Sequence, residues 1–278
     1  MKKILAVFDG FKLCQGTLKY AIELTRLQNG HLTGVFLDAF FYRSYNLAKV
    51  IKTTPYSELT IQELDKQDEQ LRAKSVEEFE KTCHSAGINF SIHRDHSLPL
   101  LELHYESMFA DMIVINKREK FSHADRQEPT GFIKELLSGI QCPVLVVPDD
   151  YQDVKKIVFL YDEEPSSLYA IKMFSYLLEN WHHMPIEVLT VNENTKAFTP
   201  PDTELMRNFM KRRFTDITYN LLSGEAEETI IEHLKVTGAH QLVVLGAYRR
   251  SGFSRWVKRS MADTLMSSLD LPLFIAHH

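Results

Sequence analysis

The sequence predicts an α/β fold made of two copies of one open, five-stranded parallel-sheet domain. Three observations carry this. Short apolar runs alternate with longer helical stretches, the pattern of α/β proteins. The runs are apolar throughout rather than strictly alternating, as expected for parallel strands covered on both faces. Finally, three blocks recur in one order, the mark of an internal repeat. Lys3-Ile-Leu-Ala-Val-Phe-Asp9 matches Lys156-Ile-Val-Phe-Leu-Tyr-Asp162, and Asp111-Met-Ile-Val-Ile-Asn116 matches Gln241-Leu-Val-Val-Leu-Gly246. Pro143-Val-Leu-Val-Val147 matches Pro272-Leu-Phe-Ile-Ala276. The join falls in the polar, proline-led stretch Pro148 to Asp153, which gives domains 1–150 and 151–278.

In chain order, the apolar runs of the first copy predict strands near 3–8, 31–37, 89–94, 112–115 and 144–147. Helices are expected near 14–28, 98–108 and 130–138. Gly10 favours a turn directly after Asp9. The first copy is the longer one, through an excursion over 40–81. Within it Leu64, Leu71, Val76 and Phe79 recur at roughly helical spacing, and Gly87 is the expected stop. This excursion is expected to act as a lid for the first copy or as a partner-binding element. The second copy predicts strands near 156–161, 186–191, 216–222, 242–245 and 272–276. Its helices are expected near 166–180, 204–213, 226–236 and 257–268.

Composition narrows the function. The chain has 278 residues, 44% hydrophobic and 25% charged, ordinary values for a globular protein. A net charge of -5 argues against wholesale nucleic-acid binding. Cys14, Cys83 and Cys142 have no metal-like spacing and suit a reducing compartment. Cys142, at a strand start, reads as a packing residue. The apolar stretch Ile4 to Phe8 is too short for a signal peptide, and no run is long enough to span a membrane. A cytoplasmic location is therefore expected, with no membrane partner.

Ligands of open parallel sheets bind beyond the carboxyl ends of the strands, where strand order reverses. Asp9, Asn116, Asp162 and Gly246 stand at those ends. Gly246 opens GAYRRSGFSRWVKRS, where Arg249, Arg250, Arg255, Lys258 and Arg259 offer cations that suit an anion. The same segment equally suits a solvated basic helix entry. Catalytic signatures are missing: there is no G-x-S-x-G elbow, no Walker A loop and no G-x-G-x-x-G after either first strand. No catalytic residue is assigned. His93, Asp95, His96 and His104 lie close in sequence, but their spacing is not that of a metal site, and no metal is assigned.

The set KKILAVFDG, ADMIVIN and CPVLVVP, followed by KKIVFLYDE, QLVVLG and LPLFIA, resembles the universal stress protein family in a tandem form. The resemblance covers nearly the whole chain except 40–81. It implies a Rossmann-type, doubly wound sandwich in each domain. It further implies that the domains pair through 144–147 and 272–276 about a pseudo-two-fold, an intramolecular pseudo-dimer, with a homodimer of the chain as a further expected assembly. Many members bind ATP through Gly, two residues, Gly, nine residues, then Gly with Ser or Thr. The second copy aligns Gly246, Arg249, Arg259 and Ser260 with that pattern. The first aligns Asn116, Glu119 and Thr130-Gly131, with Glu119 and Glu128 set to repel phosphate. Asp9 and Asp162 match the family's acid at the end of its first strand. The function so implied is a stress-response binding or regulatory module, with ATP as the candidate ligand of domain 2 and an unidentified protein partner. A nucleotide-dependent switch or weak ATPase and a ligand-free interaction scaffold are the alternatives.

Overall fold

The computed structural model describes residues 1–37, 42–53, 57–95, 98–121, 127–192, 204–247 and 260–277. The chain divides into two compact units, Met1–Ile140 and Gln141–His278.

The first unit runs β1 (Lys3–Phe8), α1 (Gln15–Leu27), β2 (His31–Leu37), α2 (Leu47–Thr53), α3 (Ser57–Ala86), β3 (Asn89–Asp95), α4 (Pro99–Ser107), β4 (Met112–Asn116) and α5 (Gly131–Gly139). Its strands lie in the order β3-β2-β1-β4, all parallel. The interior residues of β1 and β4 are fully or almost fully buried, which explains their unbroken apolar sequences. α1 turns Leu18, Ala21, Ile22 and Thr25 inward at helical spacing.

The second unit begins with β5 (Val144–Val147). It continues through β6 (Lys156–Leu160), α6 (Pro165–Leu177), a 3-10 turn (Glu179–Trp181), β7 (Ile186–Asn192) and α7 (Glu204–Lys211). It ends with β8 (Ile217–Ser223), α8 (Ala226–Thr237), β9 (Gln241–Gly246), α9 (Met261–Ser268) and β10 (Leu273–Ala276). The order is β5-β10-β9-β6-β7-β8. Every pairing is parallel except β5 with β10, which is antiparallel, with Leu145 opposite Phe274. The sequence repeat breaks near 148–153, whereas the spatial grouping begins at Gln141, because β5 bonds to β10.

The excursion is helical, as its spacing predicts, but its phase differs. Leu71 is exposed; the inward stripe of α3 is Asp68, Arg72, Ser75, Phe79 and Cys83. Phe79 sets that phase. Its ring lies 5.7–5.9 Å from the rings of Phe8, Phe36 and Phe90, and a Cβ on Gly34 would come within 2.6 Å of it. Gly34 thus leaves the hollow in β2 that Phe79 fills. Burying a side chain of this kind contributes about 1.5–3 kcal/mol. Polar positions nearer the helix start bind residues 42–45 instead. Asp68 accepts from the Ser44 backbone N–H at 2.9 Å, and Asp65 accepts from Arg43 at 2.9 Å and Tyr45 at 2.7 Å. Gly87, at φ +65°, ends the helix, with its N–H donating to the His84 carbonyl.

One acid sits inside a strand. Glu187 of β7 is 1% exposed and lies 2.5 Å from Lys156 Nζ and 2.7 Å from His233 Nε2; the Asn220 amide also donates to it. Burial pushes its carboxyl up, but the bonds from Lys156 and Asn220 and the nearby Lys156 charge outweigh this, and the net shift is downward. A lowered folded pKa gives stability that is present above the unfolded value and lost as pH falls through the folded one. Glu187→Gln is expected to cost about 1–3 kcal/mol at neutral pH, with the deficit shrinking in acid. Denaturant melts of both proteins from pH 7 down to pH 3 check this; a deficit that ignores pH contradicts it.

Candidate functional site

In each copy the first strand has the second on one side and the fourth on the other: β2-β1-β4 and β7-β6-β9. Strand order reverses there, so a crevice opens above the carboxyl ends. In the second copy this place holds a cavity of about 160 Å³. Its described walls are Tyr161 and Asp162 after β6, Leu189 and Val191 of β7, Gly246 of β9, and residues from α6, α8 and α9, among them Ile230 and Met261. The wall is chiefly aliphatic, with Asp162 and Ser167 as polar points. An apolar cavity of ~150 Å³ takes a benzene-sized ring. This one therefore suits a flat ring with a polar group near Asp162.

The predicted residues of domain 2 separate into two groups. Asp162 and Gly246 line the cavity, and Ser260 caps the start of α9, next to Met261 in the wall. Arg249 and Arg259 lie outside the described residues, as does the 257–259 start expected for the last helix. Asp162 Oδ1 accepts the Glu164 N–H at 3.1 Å, so it shapes the turn after β6 while remaining exposed. Gly246 has a packing reason independent of any ligand. A Cβ there would stand 2.4 Å from the backbone carbon and oxygen of Ser166 and 2.8 Å from the Ser167 nitrogen. Only glycine lets α6 start so close to the tip of β9.

The first copy builds the same turn from Asp9, whose Oδ1 accepts from the Phe11 N–H at 2.9 Å and the Lys12 N–H at 3.2 Å. The next residue has positive φ in both copies, +85° at Gly10 and +64° at Glu163. Beyond this the copies diverge. Arg72 of α3 stacks over Phe11, with its guanidinium carbon 4.0 Å from the ring centre, and donates to the Tyr42 carbonyl at 2.9 Å. The Tyr42 ring meets Phe11 and Phe121, both at 5.5 Å, and Phe121 meets Phe132. Asn116 Oδ1 accepts the Arg118 N–H at 2.8 Å. Thr130 donates to the Glu119 carbonyl and caps α5, which Gly131 opens, by accepting from Ile133. Glu128 pairs with Arg118 at 2.7 Å and Lys117 at 3.5 Å. These contacts link side chains of four separate segments beside the Asp9 turn.

Burial beside this turn shifts two of its side chains. Burial raises the Asp9 carboxyl, against the pull of the Lys12 and Phe11 N–H bonds and the Arg72 charge. Burial pushes Tyr42 up to about 12, helped by the charges of Asp9 and Glu119.

The histidines assemble differently from their sequence cluster. His104 packs against Gly139, where a Cβ would lie 2.5 Å from its ring, and His96 lies outside the described residues. His93 joins Glu102 and Glu106 of α4 instead, their ligand atoms all within 4.8 Å of one another. His93 Nδ1 is 2.6 Å from Glu106. Lys3 Nζ, 3.2 Å from the same carboxylate, already supplies a cation there. The i, i+4 spacing of Glu102 and Glu106 was the readable signal. Cys142 is buried, as a packing role requires. Among the described residues no helix is long and apolar enough to cross a membrane.

Two expectations follow. Gly246→Ala should lower stability by about 1–3 kcal/mol through overpacking, measured by thermal melting without ligand; an unchanged melt would make the glycine a ligand device alone. Asp9→Asn keeps the acceptor for both N–H groups and removes the buried charge. A raised folded pKa gives stability present below the unfolded value and lost as pH rises through the folded one. The variant is thus expected to melt higher at pH 7, with the gain vanishing below about pH 4. A gain that persists in acid contradicts the assignment.

No family model matches the chain. It is 23% identical over 290 residues to the universal stress protein Slr1230 of Synechocystis, spanning 98% of this chain and 99% of the relative. A universal stress protein structure from Archaeoglobus fulgidus superposes with a TM-score of 0.65 at 14% identity, covering 99% of this chain and 97% of that one. A functionally unknown protein from Pseudomonas aeruginosa superposes at 0.60 with 14% identity, covering 99% and 92%. The chain is thus similar over nearly its whole length to a universal stress protein and shares the fold of universal stress protein structures.

Proposed function

We propose that the chain is a binding and regulatory module of the universal stress type whose ligand site is the crevice of the second copy. ATP is the candidate ligand. The observation that carries this reading is the cavity between β6, β7 and β9, which takes in Asp162 and Gly246 and ends beside Ser260. Its aliphatic wall favours a flat base. Asp162 is an acceptor for hydroxyl or amino groups of the ligand. The start of α9 is a helix N-terminus, a favourable place for an anion, and Arg249 and Arg259 stand in sequence where side chains replace glycines as phosphate holders. The first copy, where Arg72 lies over Phe11 and Glu119 and Glu128 stand in the aligned loop, is assigned a structural part. Turnover is not part of the proposal.

Calorimetric titration of ligand-stripped protein with ATP and Mg²⁺ tests it, beside Val191→Trp, which fills the cavity, and the Arg249→Ala, Arg259→Ala pair. Micromolar binding is expected, weakened at least tenfold by either change. Binding untouched by Val191→Trp would place the ligand elsewhere. Loss with Val191→Trp alone would keep the crevice and remove the arginines from it. No heat from the native protein would leave the scaffold reading, and ADP release at a steady rate would replace binding by hydrolysis.

A further inference from the structure

Three groups of metal-ligating type meet between β3 and α4. His93 stands on β3, and Glu102 and Glu106 stand one turn apart on α4, with a ligand atom of each within 4.8 Å of the others. The side chains of His93 and Glu106 keep 36% and 15% of their surface in water. Both supporting elements are fixed. β3 pairs along its length with β2, and α4 buries Pro99, Leu103 and Ser107. Glu106 is one residue from the end of α4, where the helix dipole is negative and disfavours a carboxylate. A cation beside it offsets that cost.

Lys3 supplies positive charge to one oxygen of that carboxylate. Its Nζ lies 3.2 Å from Glu106 Oε2, while His93 Nδ1 faces Oε1 at 2.6 Å. Negative charge gathers around this pair: Glu102 adds a second carboxylate, and Asp111, which accepts the Lys3 backbone N–H at 2.7 Å, a third. The second copy shows the alternative. Its lysine, acid and imidazole, Lys156, Glu187 and His233, also meet, but the further partner is the Asn220 amide, which donates to the acid. A donor there completes the bonds of an acid that is 1% exposed. The first copy instead places a ligand, Glu102, beside its acid and imidazole and leaves the group within reach of solvent.

We propose that His93, Glu102 and Glu106 form a binding site for a divalent transition-metal ion of the zinc class. One imidazole nitrogen and two carboxylate oxygens are a borderline ligand set. It selects such an ion over magnesium or calcium, which take oxygen ligands. The ion lies between His93 Nδ1 and Glu106 Oε1, in the place of the proton they share, and Lys3 keeps Oε2. A ligating carboxylate held by a hydrogen bond on its other oxygen is the usual outer support of a metal site. Ligand atoms of a tetrahedral ion stand about 3.4 Å apart, so the His93–Glu106 pair opens by less than about 1 Å. Glu102 reaches the ion by rotation of its side chain. Three protein ligands leave the fourth position to water, the form of an open site. The ion ties α4 to β3 and neutralises both acids, so binding is read out as stability.

Calorimetric titration of the chelator-treated full chain with zinc chloride tests the proposal. Micromolar binding of one ion per chain is expected, with a higher thermal melt when zinc is present. Glu102→Gln and His93→Gln should each weaken binding at least tenfold and lose the zinc-dependent rise in melt. Without metal, both variants should melt near the native chain. Should His93→Gln fail to fold, Glu102→Gln decides alone. Cobalt chloride should give the visible absorption of a four-coordinate ion with the native chain and not with the variants. His183→Ala, at an exposed histidine of the second unit, should bind zinc as the native chain does. No zinc binding by the native chain overturns the proposal. So does binding that both variants keep, which would place the ion at other histidines. Zinc bound only after Lys3→Met would make the lysine the resident cation and overturn it too. Magnesium chloride that displaces zinc at equal concentration would overturn the choice of ion.

Discussion

The parallel pairing of the first strand with the fourth, made twice, is the constraint on which the rest depends. β1 pairs with β4 and β6 with β9. Because the second and third strands of each copy lie on the other flank, helices leave this junction in opposite directions. A crevice is left above the strand tips. The junction also fixes the turn after the first strand, with an aspartate accepting backbone N–H groups in both copies. Gly246 follows from the same geometry, since α6 starts within contact distance of its Cα. A glycine aligned with a phosphate-binding pattern is thus also a packing necessity, and one residue serves both readings.

The copies use the junction in opposite ways. In the second, aliphatic side chains stand around an open cavity and Asp162 is exposed. In the first, the long α3 brings in Arg72, which lies over Phe11 and tempers the charge of the half-buried Asp9. The guanidinium lies on an aromatic face, a favourable place for a planar cation, while its charge acts on the nearby carboxylate. The longer α3 of the first copy is enough to make the chemistry of the two junctions unequal.

A second shared feature lies at the opposite ends of the first strands. Lys3 meets Glu106, which meets His93; Lys156 meets Glu187, which meets His233. The acid and the imidazole exchange places. Strand β3 gives the histidine and α4 the acid in one copy, while β7 gives the acid and α8 the histidine in the other. The lysine that opens each first strand is half-buried and requires an opposite charge, and either neighbouring element can provide it.

Strand positions, the repeat and the strand ends were legible in the sequence, because burial on both faces makes parallel strands apolar throughout and the chain writes them twice. β1, β2 and β5 fall where their apolar runs place them. Asp162 and Gly246 were legible for the same reason, since a strand's end is a sequence-local fact. The phase of α3 was not. Its spacing gave a helix, but which side turned inward was decided by the hollow at Gly34 and by partners at residues 43–45, distant along the chain. Nor could the sequence show the cluster beside Asp9, since Phe11, Tyr42, Arg72 and Phe121 come from four separate segments that meet only in the fold. The sequence fixes what is periodic or adjacent along the chain. Tertiary structure alone decided which polar groups lie buried together, because that depends on contacts between distant residues.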